Sequence, residues 1–135
     1  VQESESLLFS VAGIIENAIK FFPLFMANDA CKARLKLQAK HGGCIQHPTN
    51  ISWGGDNRTT MIRIPTSTLF PENRHIEHRL ATADCCPYQC LYAILQSILA
   101  GLAKQQPPIL EKIYGNANQK QYAIMPYSMP FPFES

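Results

Sequence analysis

The sequence predicts an α+β fold in which helices pack against an antiparallel sheet. Two long segments repeat apolar residues every three or four positions, as amphipathic helices do. Two short segments between them are rich in β-branched residues or alternate from one side to the other, as strands do. No internal repeat or linker divides the chain, so we expect one domain over residues 1–135, with its core at about 7–103.

The first predicted helix begins near Leu8 and ends at Pro23, because proline cannot continue a helix. Polar residues in the middle of the apolar run 7–26 argue against a membrane span, and the acidic start of the chain argues against a secretory signal. We therefore expect a cytoplasmic protein with no membrane partner. The helix would bury a stripe of six apolar residues: Val11, Ala12, Ile15, Ala18, Ile19 and Phe22.

The next part of the chain has weaker patterns. Residues 27–52 have no clear period and predict a long loop with room for a short strand. A glycine-containing turn at 53–58 leads into a predicted strand at 59–65. Since two strands alone make a poor sheet, either a further strand lies within 27–52 or another segment completes the sheet.

The second predicted strand, residues 74–80, follows a loop at 66–73. Side chains alternate between the two faces of a strand, so His75, Glu77 and Arg79 would share one face. That face would gather an acid, a base and an imidazole.

The second predicted helix begins at Pro87, a favoured first helical residue, and runs to about Gly101. The tail at 104–135 is rich in proline, asparagine and glutamine, and we expect it to be extended or partly disordered. The apolar spacing predicts that the helix buries seven large side chains, including both tyrosines: Tyr88, Leu91, Tyr92, Leu95, Ile98, Leu99 and Leu102.

Composition excludes several classes of function. The 12 basic and 10 acidic residues leave a formal net charge of +2, which gives no sign of a nucleic-acid partner. The five cysteines include no CxxC pair, and the histidines near them do not have the spacing of known zinc fingers. We interpret the cysteines as thiols that pack in the core.

Three arginines and one glutamate, in or beside the predicted strands, are the candidates for chemistry. Guanidinium groups bind phosphate oxygens in pairs, and a carboxylate binds a hard cation such as Mg²⁺. An ordinary solvent-exposed charged face has the same pattern, and the pattern alone favours that interpretation. The four residues are Arg58, Arg63, Glu77 and Arg79.

A family resemblance favours the phosphate and metal site over an ordinary charged face. The blocks are WGGDNRTTMIRIP at 53–65, RHIEHRL at 74–80, Ala83-Asp84 and Pro87-Tyr88, and their order and spacing resemble the glutamine synthetase signature. The details are similar to the branch that includes γ-glutamyl-polyamine synthetases. The resemblance implies that the α+β fold is part of a glutamine synthetase catalytic domain.

In such enzymes, ATP phosphorylates the side-chain carboxylate of glutamate, and ammonia or an amine then displaces phosphate. The resemblance implies that Arg58 stabilises charge on the transferred phosphoryl group as a catalytic residue, and that Arg63 helps to hold the nucleotide phosphates. His75 occupies a nucleotide-contacting position that is commonly arginine in the family.

The remaining implied roles concern metal and substrate. Glu77 would ligate one divalent cation, Mg²⁺ or Mn²⁺. Arg79 would bind the substrate carboxylate and the developing phosphate as a second catalytic residue, and Arg34 is the match for a further substrate-binding arginine.

The family's earlier catalytic strands, with most of its metal-ligating glutamates, would precede residue 1. The sequence therefore predicts a ligase fragment that is inactive alone, and that forms a homo-oligomer or needs a complementing chain. The alternative is a non-catalytic remnant that acts as a binding or interaction protein. On either hypothesis, we expect exposed apolar surface on the isolated chain.

Overall fold

The computed structural model describes residues 4–40, 47–67 and 69–133. Four helices and five short strands are found in this part of the chain. The helices are α1 (Glu5–Glu16), α2 (Ala18–Phe25), α3 (Asp29–Lys40) and α4 (Pro87–Lys104). The strands are β1 (Asn50–Ile51), β2 (Trp53–Gly55), β3 (Ile62–Ile64), β4 (Glu77–His78) and β5 (Met129–Pro130), and 3-10 turns lie at Pro71–Asn73 and Lys120–Tyr122.

The strands form two small sheets, which confirms the α+β class. β3 is the central strand of a three-stranded sheet, antiparallel to β4 but parallel to β2, and β1 pairs with β5 in a separate antiparallel sheet. The expected antiparallel pairing is present between β3 and β4 and between β1 and β5, and β2 adds a parallel strand. Residues 53–58, predicted as a turn, include β2. The short connection from β2 to β3 begins at Asp56, whose φ of 47° lies in the left-handed region.

The prediction that the first helix ends at Pro23 is wrong, because Pro23 lies inside α2. The helix instead breaks at Asn17, whose backbone N–H and side-chain amide both donate to the carbonyl of Gly13. An asparagine side chain that bonds the preceding turn competes with the next backbone hydrogen bond. α1 and α2 meet at 74° there. Within the described residues, no single helix has the length and apolar character of a membrane span, although this bent pair meets that test by length and composition.

A helix also lies where the sequence predicted a loop. α3 begins after Asn28, whose side-chain oxygen accepts a hydrogen bond from the Cys31 N–H at 3.0 Å. Among its described residues only Cys31 and Leu35 are buried, so α3 has almost no apolar stripe to detect. β1 provides the hidden strand within 27–52, and residues 41–46 of the predicted loop lie outside the described residues.

α1 and α4 cross at very close range. A Cβ atom at Gly13 would lie 2.0 Å from the carbonyl oxygen of Ser97, and one at Gly101 would lie 2.1 Å from that of Phe9. Only glycine fits two backbones this close. The buried residues of α4 are accordingly small: Cys90, Ala93, Ser97 and Gly101.

The predicted buried stripe of α4 is therefore wrong for six of its seven residues. Small residues form the buried side because the helix crossing leaves no room for large ones, and Ile98 alone of the seven is half-buried. The two tyrosines predicted as core residues are 85% and 56% exposed. The exposed residues, called here the outer face of α4, are Tyr88, Leu91, Tyr92, Leu95, Leu99 and Leu102.

The tail has little regular structure but is part of the packed molecule. Leu110 and Phe131 belong to the main hydrophobic cluster, Ile113 and Ala117 are fully buried, and β5 pairs with β1. The tail, which was expected to be extended or partly disordered, thus adds buried residues to the core expected at about 7–103. This places the tail beside the β2–β3 connection.

Candidate functional site

Charged side chains from the neighbouring strands β3 and β4 meet in the three-stranded sheet. Arg63 and Glu77 are directly opposite in the strand register, and Arg63 donates to Glu77 Oε2 at 2.5 Å and to Asp56 Oδ1 at 2.5 Å. Arg79 Nη1 donates to Glu77 Oε1 at 2.6 Å, which is the contact that strand alternation predicts for residues two apart. Glu77 therefore links two of the predicted site arginines.

These contacts shift the pKa values of the cluster. Burial alone would raise the pKa of Glu77, but the hydrogen bond from Arg63 and the charges of Arg79 and Arg63 together hold that pKa below its usual value. The hydrogen bond to Glu77 raises the pKa of Arg63, and Asp56 adds to this effect against the opposing effect of burial. Both shifts favour the charged forms of Glu77 and Arg63 at neutral pH.

Arg58 lies next to this cluster in a shallow depression of about 610 Å³. It forms no ion pair with the residues that the structure describes. The turn that carries it is fixed, because Thr59 donates twice to Asn57 Oδ1. The depression is lined by Gly55, Asp56, Asn57, Arg58, Thr59, Arg63, Tyr114, Gly115 and Asn116.

A second, smaller cavity of about 220 Å³ is lined by Arg79, the other arginine bonded to Glu77. Arg34 of α3 and Arg79 both line it, although they are far apart in the sequence. The structure thus pairs the predicted arginines: two line the depression and two line the cavity. The apolar part of the cavity wall includes Met26, Leu35, Pro48 and Leu80.

His75 stands apart from both cavities. It is exposed, and its Nδ1 lies 2.7 Å from the carbonyl oxygen of Asn73. His78, three residues further along the chain, is different, since its Nδ1 is buried and its ring lies 4.5 Å from that of Phe25. Burial lowers the pKa of His78 to about 4.

The described residues do not form a metal site by themselves. They contain no group of three or more histidine, cysteine, aspartate or glutamate side chains placed to hold an ion. Glu77 has an arginine on each carboxylate oxygen, so it offers at most one ligand. For phosphate the fit is better, because Arg58 is unpaired within the described chain and lies beside Arg63.

The sequence did not point to the tail as part of the site. Tyr114, Gly115 and Asn116 line the Arg58 depression, yet the tail has no helical or strand period that would place them. In the structure, these three residues are held between two buried residues, Ile113 and Ala117. Burial cannot be inferred for an alanine and an isoleucine without a periodic pattern.

On this α+β scaffold, two arginines line the depression and two line the cavity, and Glu77 is bonded to one arginine of each pair. A family model described as "Glutamine synthetase, catalytic domain" matches residues 1–129, so the chain belongs to the glutamine synthetase catalytic-domain family.

The relatives are much longer than this chain. γ-Glutamylputrescine synthetase PuuA of Escherichia coli strain K12 is 38% identical over 85 residues, which is 63% of this chain and 16% of that protein. The glutamine synthetase of Thermus thermophilus is 28% identical over 116 residues, 84% of this chain and 24% of that enzyme. A solved structure described as "Apo GmaS without ligand" matches with a TM-score of 0.76 at 24% identity, over 96% of this chain and 27% of the other, and supports the fold alone.

Proposed function

We propose that this chain carries the phosphate- and carboxylate-binding part of the active site of an ATP-dependent ligase. The reaction joins glutamate to ammonia or an amine through γ-glutamyl phosphate. The observation that carries the proposal is the position of Glu77, which holds Arg63 at the Arg58 depression and Arg79 at the second cavity. One carboxylate thereby sets the geometry of two neighbouring anion sites.

The depression suits the nucleotide phosphates. Arg58 stabilises the charge that spreads over the transferred phosphoryl group, and Arg63 binds the nucleotide phosphates. Phosphoryl transfer depends mainly on positioned positive charge. Arg63 is positioned in advance because Asp56 and Glu77 each accept one of its hydrogen bonds. Arg58 has its charge available because no described carboxylate neutralises it.

The second cavity suits the carboxylate substrate. Arg79 and Arg34 line it together. Their two guanidinium groups match the two carboxylates of an amino-acid substrate with an acidic side chain. Arg79 is also bonded to Glu77, which is bonded to Arg63 of the depression, so one carboxylate connects the two sites. The γ-carboxylate of glutamate bound here would be close to the phosphates bound at Arg58.

Divalent metal is a separate matter. Glu77 stays the predicted ligand for Mg²⁺ or Mn²⁺, but the described residues do not complete a metal site, so we assign no step to a metal. His75 stays a predicted nucleotide contact, and its surface position supports this less than the positions of the arginines. The cytoplasmic location also stays a prediction.

A second candidate function is that of a non-catalytic interaction protein. The outer face of α4 favours it, because six large apolar side chains on one helix are exposed together. In that case the arginine cluster would be a structural remnant. A homo-oligomer or a complementing chain that covers this face is compatible with both functions.

Calorimetric titration of the 135-residue chain with ATP, with and without Mg²⁺, tests the proposed function. We expect millimolar or tighter binding, and at least a tenfold loss in Arg58→Ala, because an unpaired guanidinium on phosphate is removed. Lys120→Ala is the matched control, since it removes one exposed positive charge from the tail and should bind ATP as the wild type does. Equal affinity in the two variants, or no binding to the wild type, would favour the interaction protein.

A further inference from the structure

One wall of the Arg58 depression is built from the tail, in a stretch with no helix or strand. Ile113 and Ala117 are fully buried at its two ends. Between them, Tyr114, Gly115 and Asn116 line the depression together with Arg58. The proposed roles of the arginines leave these three residues without a function.

Hydrogen bonds hold this wall on both sides of the tyrosine. The Ile113 N–H donates to the carbonyl of Trp53 at 3.0 Å, and the Ala117 N–H donates to Thr59 Oγ1 at 2.9 Å. Asn57, the neighbour of Arg58, donates from Nδ2 to the Gly115 carbonyl at 2.7 Å. The backbone at Tyr114 is therefore fixed relative to Arg58, as a binding residue requires.

Within this fixed wall, the Tyr114 side chain is 82% exposed. Tyr122 and Tyr127 of the tail are half-buried and pack edge to face, with ring centroids 5.1 Å apart. Tyr114 has no such ring partner in the described chain, and its ring interacts with Lys112 Nζ, 5.4 Å from the centroid. An aromatic ring that is not needed for packing thus lies at the rim of a positively charged depression.

We propose that the ring of Tyr114 is the stacking surface for the base of the nucleotide whose phosphates are bound by Arg58 and Arg63. This inference rests on the proposed function and adds the group that distinguishes a nucleotide from a bare polyphosphate. A volume of about 610 Å³ is within the usual range for small-molecule sites. Stacking accepts any base, because every base has a flat π surface, so Tyr114 adds affinity without selecting adenine.

The test compares ATP with inorganic tripolyphosphate on the same chain. Tyr114→Ala should weaken ATP binding about five- to twentyfold, as expected for the loss of one base stack, and should leave tripolyphosphate affinity unchanged. Tyr114→Phe should bind both ligands as the wild type does, since the ring is kept. Tyr88→Ala, on the outer face of α4, is the control for loss of an equally exposed tyrosine.

Proton NMR of the ligand gives a direct readout of stacking. The adenine H2 and H8 signals of ATP should move upfield with the wild type and with Tyr114→Phe, and should not move with Tyr114→Ala. If Tyr114→Ala binds ATP as tightly as the wild type and moves the adenine signals upfield as the wild type does, the stacking role is overturned and the proposed function stands. A wild type that binds neither ATP nor tripolyphosphate would overturn both.

Discussion

The α1–α4 helix pair and the β3–β4 strand pair are packed in different ways, the first through glycines and the second through charged side chains. At the helix crossing, Gly13 and Gly101 let the two backbones come into direct contact. At the strand pair, Arg63, Glu77 and Arg79 form a half-buried charged cluster. The packing of the helix pair depends on side-chain volume, and that of the strand pair depends on charge. Changes in side-chain size should therefore affect the first region, and changes in pH should affect the second.

The difference indicates which region carries function. Close backbone packing buries apolar surface and provides stability directly. A partly exposed ion-pair cluster adds little stability, because desolvation and solvent screening offset the attraction. Stability alone therefore does not explain why three charged residues lie side by side on and next to two paired strands. Their position between two cavities supports a role in binding anions.

The largest expected effect is at the helix crossing. Gly13→Ala should destabilise the chain by more than about 2 kcal/mol, because the new methyl group would collide with the Ser97 carbonyl and force the helices apart. Helix propensity alone would predict the opposite sign, a gain of about 1 kcal/mol. Urea unfolding measures the difference.

Ala100→Gly is the matched control on the exposed side of α4. Propensity should dominate there, so this variant should lose about 1 kcal/mol. If Gly13→Ala is as stable as the wild type or more so, the close crossing of α1 and α4 is wrong.

The second largest effect is a loss of stability at low pH, which comes from His78 of β4 in the strand pair. His78 has a pKa of about 4 in the folded chain but near its usual value of 6.5 when unfolded, so the unfolded chain binds the extra proton between these pH values. Stability should fall as the pH drops from about 6.5 to 4, by a total on the order of 3 kcal/mol. Urea midpoints at a series of pH values measure this.

His78→Gln should remove most of that decline, while His75→Gln, at an exposed position, should retain it. An unchanged decline in His78→Gln would mean that this histidine is not buried in its neutral form. The helix crossing contains no titrating group at Gly13 or Gly101, so Gly13→Ala should show the same pH slope as the wild type.

A smaller effect is expected from the carboxylate that joins the arginines. Glu77→Gln should cost about 1–2 kcal/mol at pH 7, because Arg63 and Arg79 lose a charged partner in a partly screened setting. The pKa of Glu77 is lowered in the folded chain, so this contribution is present above its usual pKa of 4.5 and is lost as the pH falls below it.

The stabilities of the wild type and of Glu77→Gln should thus converge once the pH falls below the lowered pKa of Glu77. Glu72→Gln, at an exposed turn residue, should change stability by no more than about 0.5 kcal/mol at any pH. Parallel curves for wild type and Glu77→Gln across this range would show that the carboxylate is not held by the arginines.

The sequence predicted best where the signal is local. Pro87 does begin α4, and strands do lie within the predicted ranges 59–65 and 74–80. Strand alternation alone was enough to place Glu77 and Arg79 on one side. Each of these follows from a short pattern that no distant contact overrides.

What the sequence could not predict depends on contacts between distant segments. The buried side of α4 is set by the glycine of α1 that it crosses, so hydrophobicity pointed to the wrong face. α3 has too few buried residues to show a period, and the tail is placed by hydrogen bonds that it accepts from Trp53 and Asn57 and donates to Thr59. The Tyr114 wall of the site was missed for that reason.

The smallest expected effect on folding is on the outer face of α4. Leu95→Ser and Leu99→Ser replace exposed apolar residues, so together they should change the free energy of unfolding of the monomer by no more than about 1 kcal/mol. Sedimentation should instead show self-association of the wild type at high concentration and less of it in the double variant, because the exposed apolar area is reduced. A wild type that stays monomeric at high concentration would mean that this face needs a different partner. In that case only the buried side of α4 contributes to the packing of the helix pair, and the outer face contributes neither to folding nor to self-assembly.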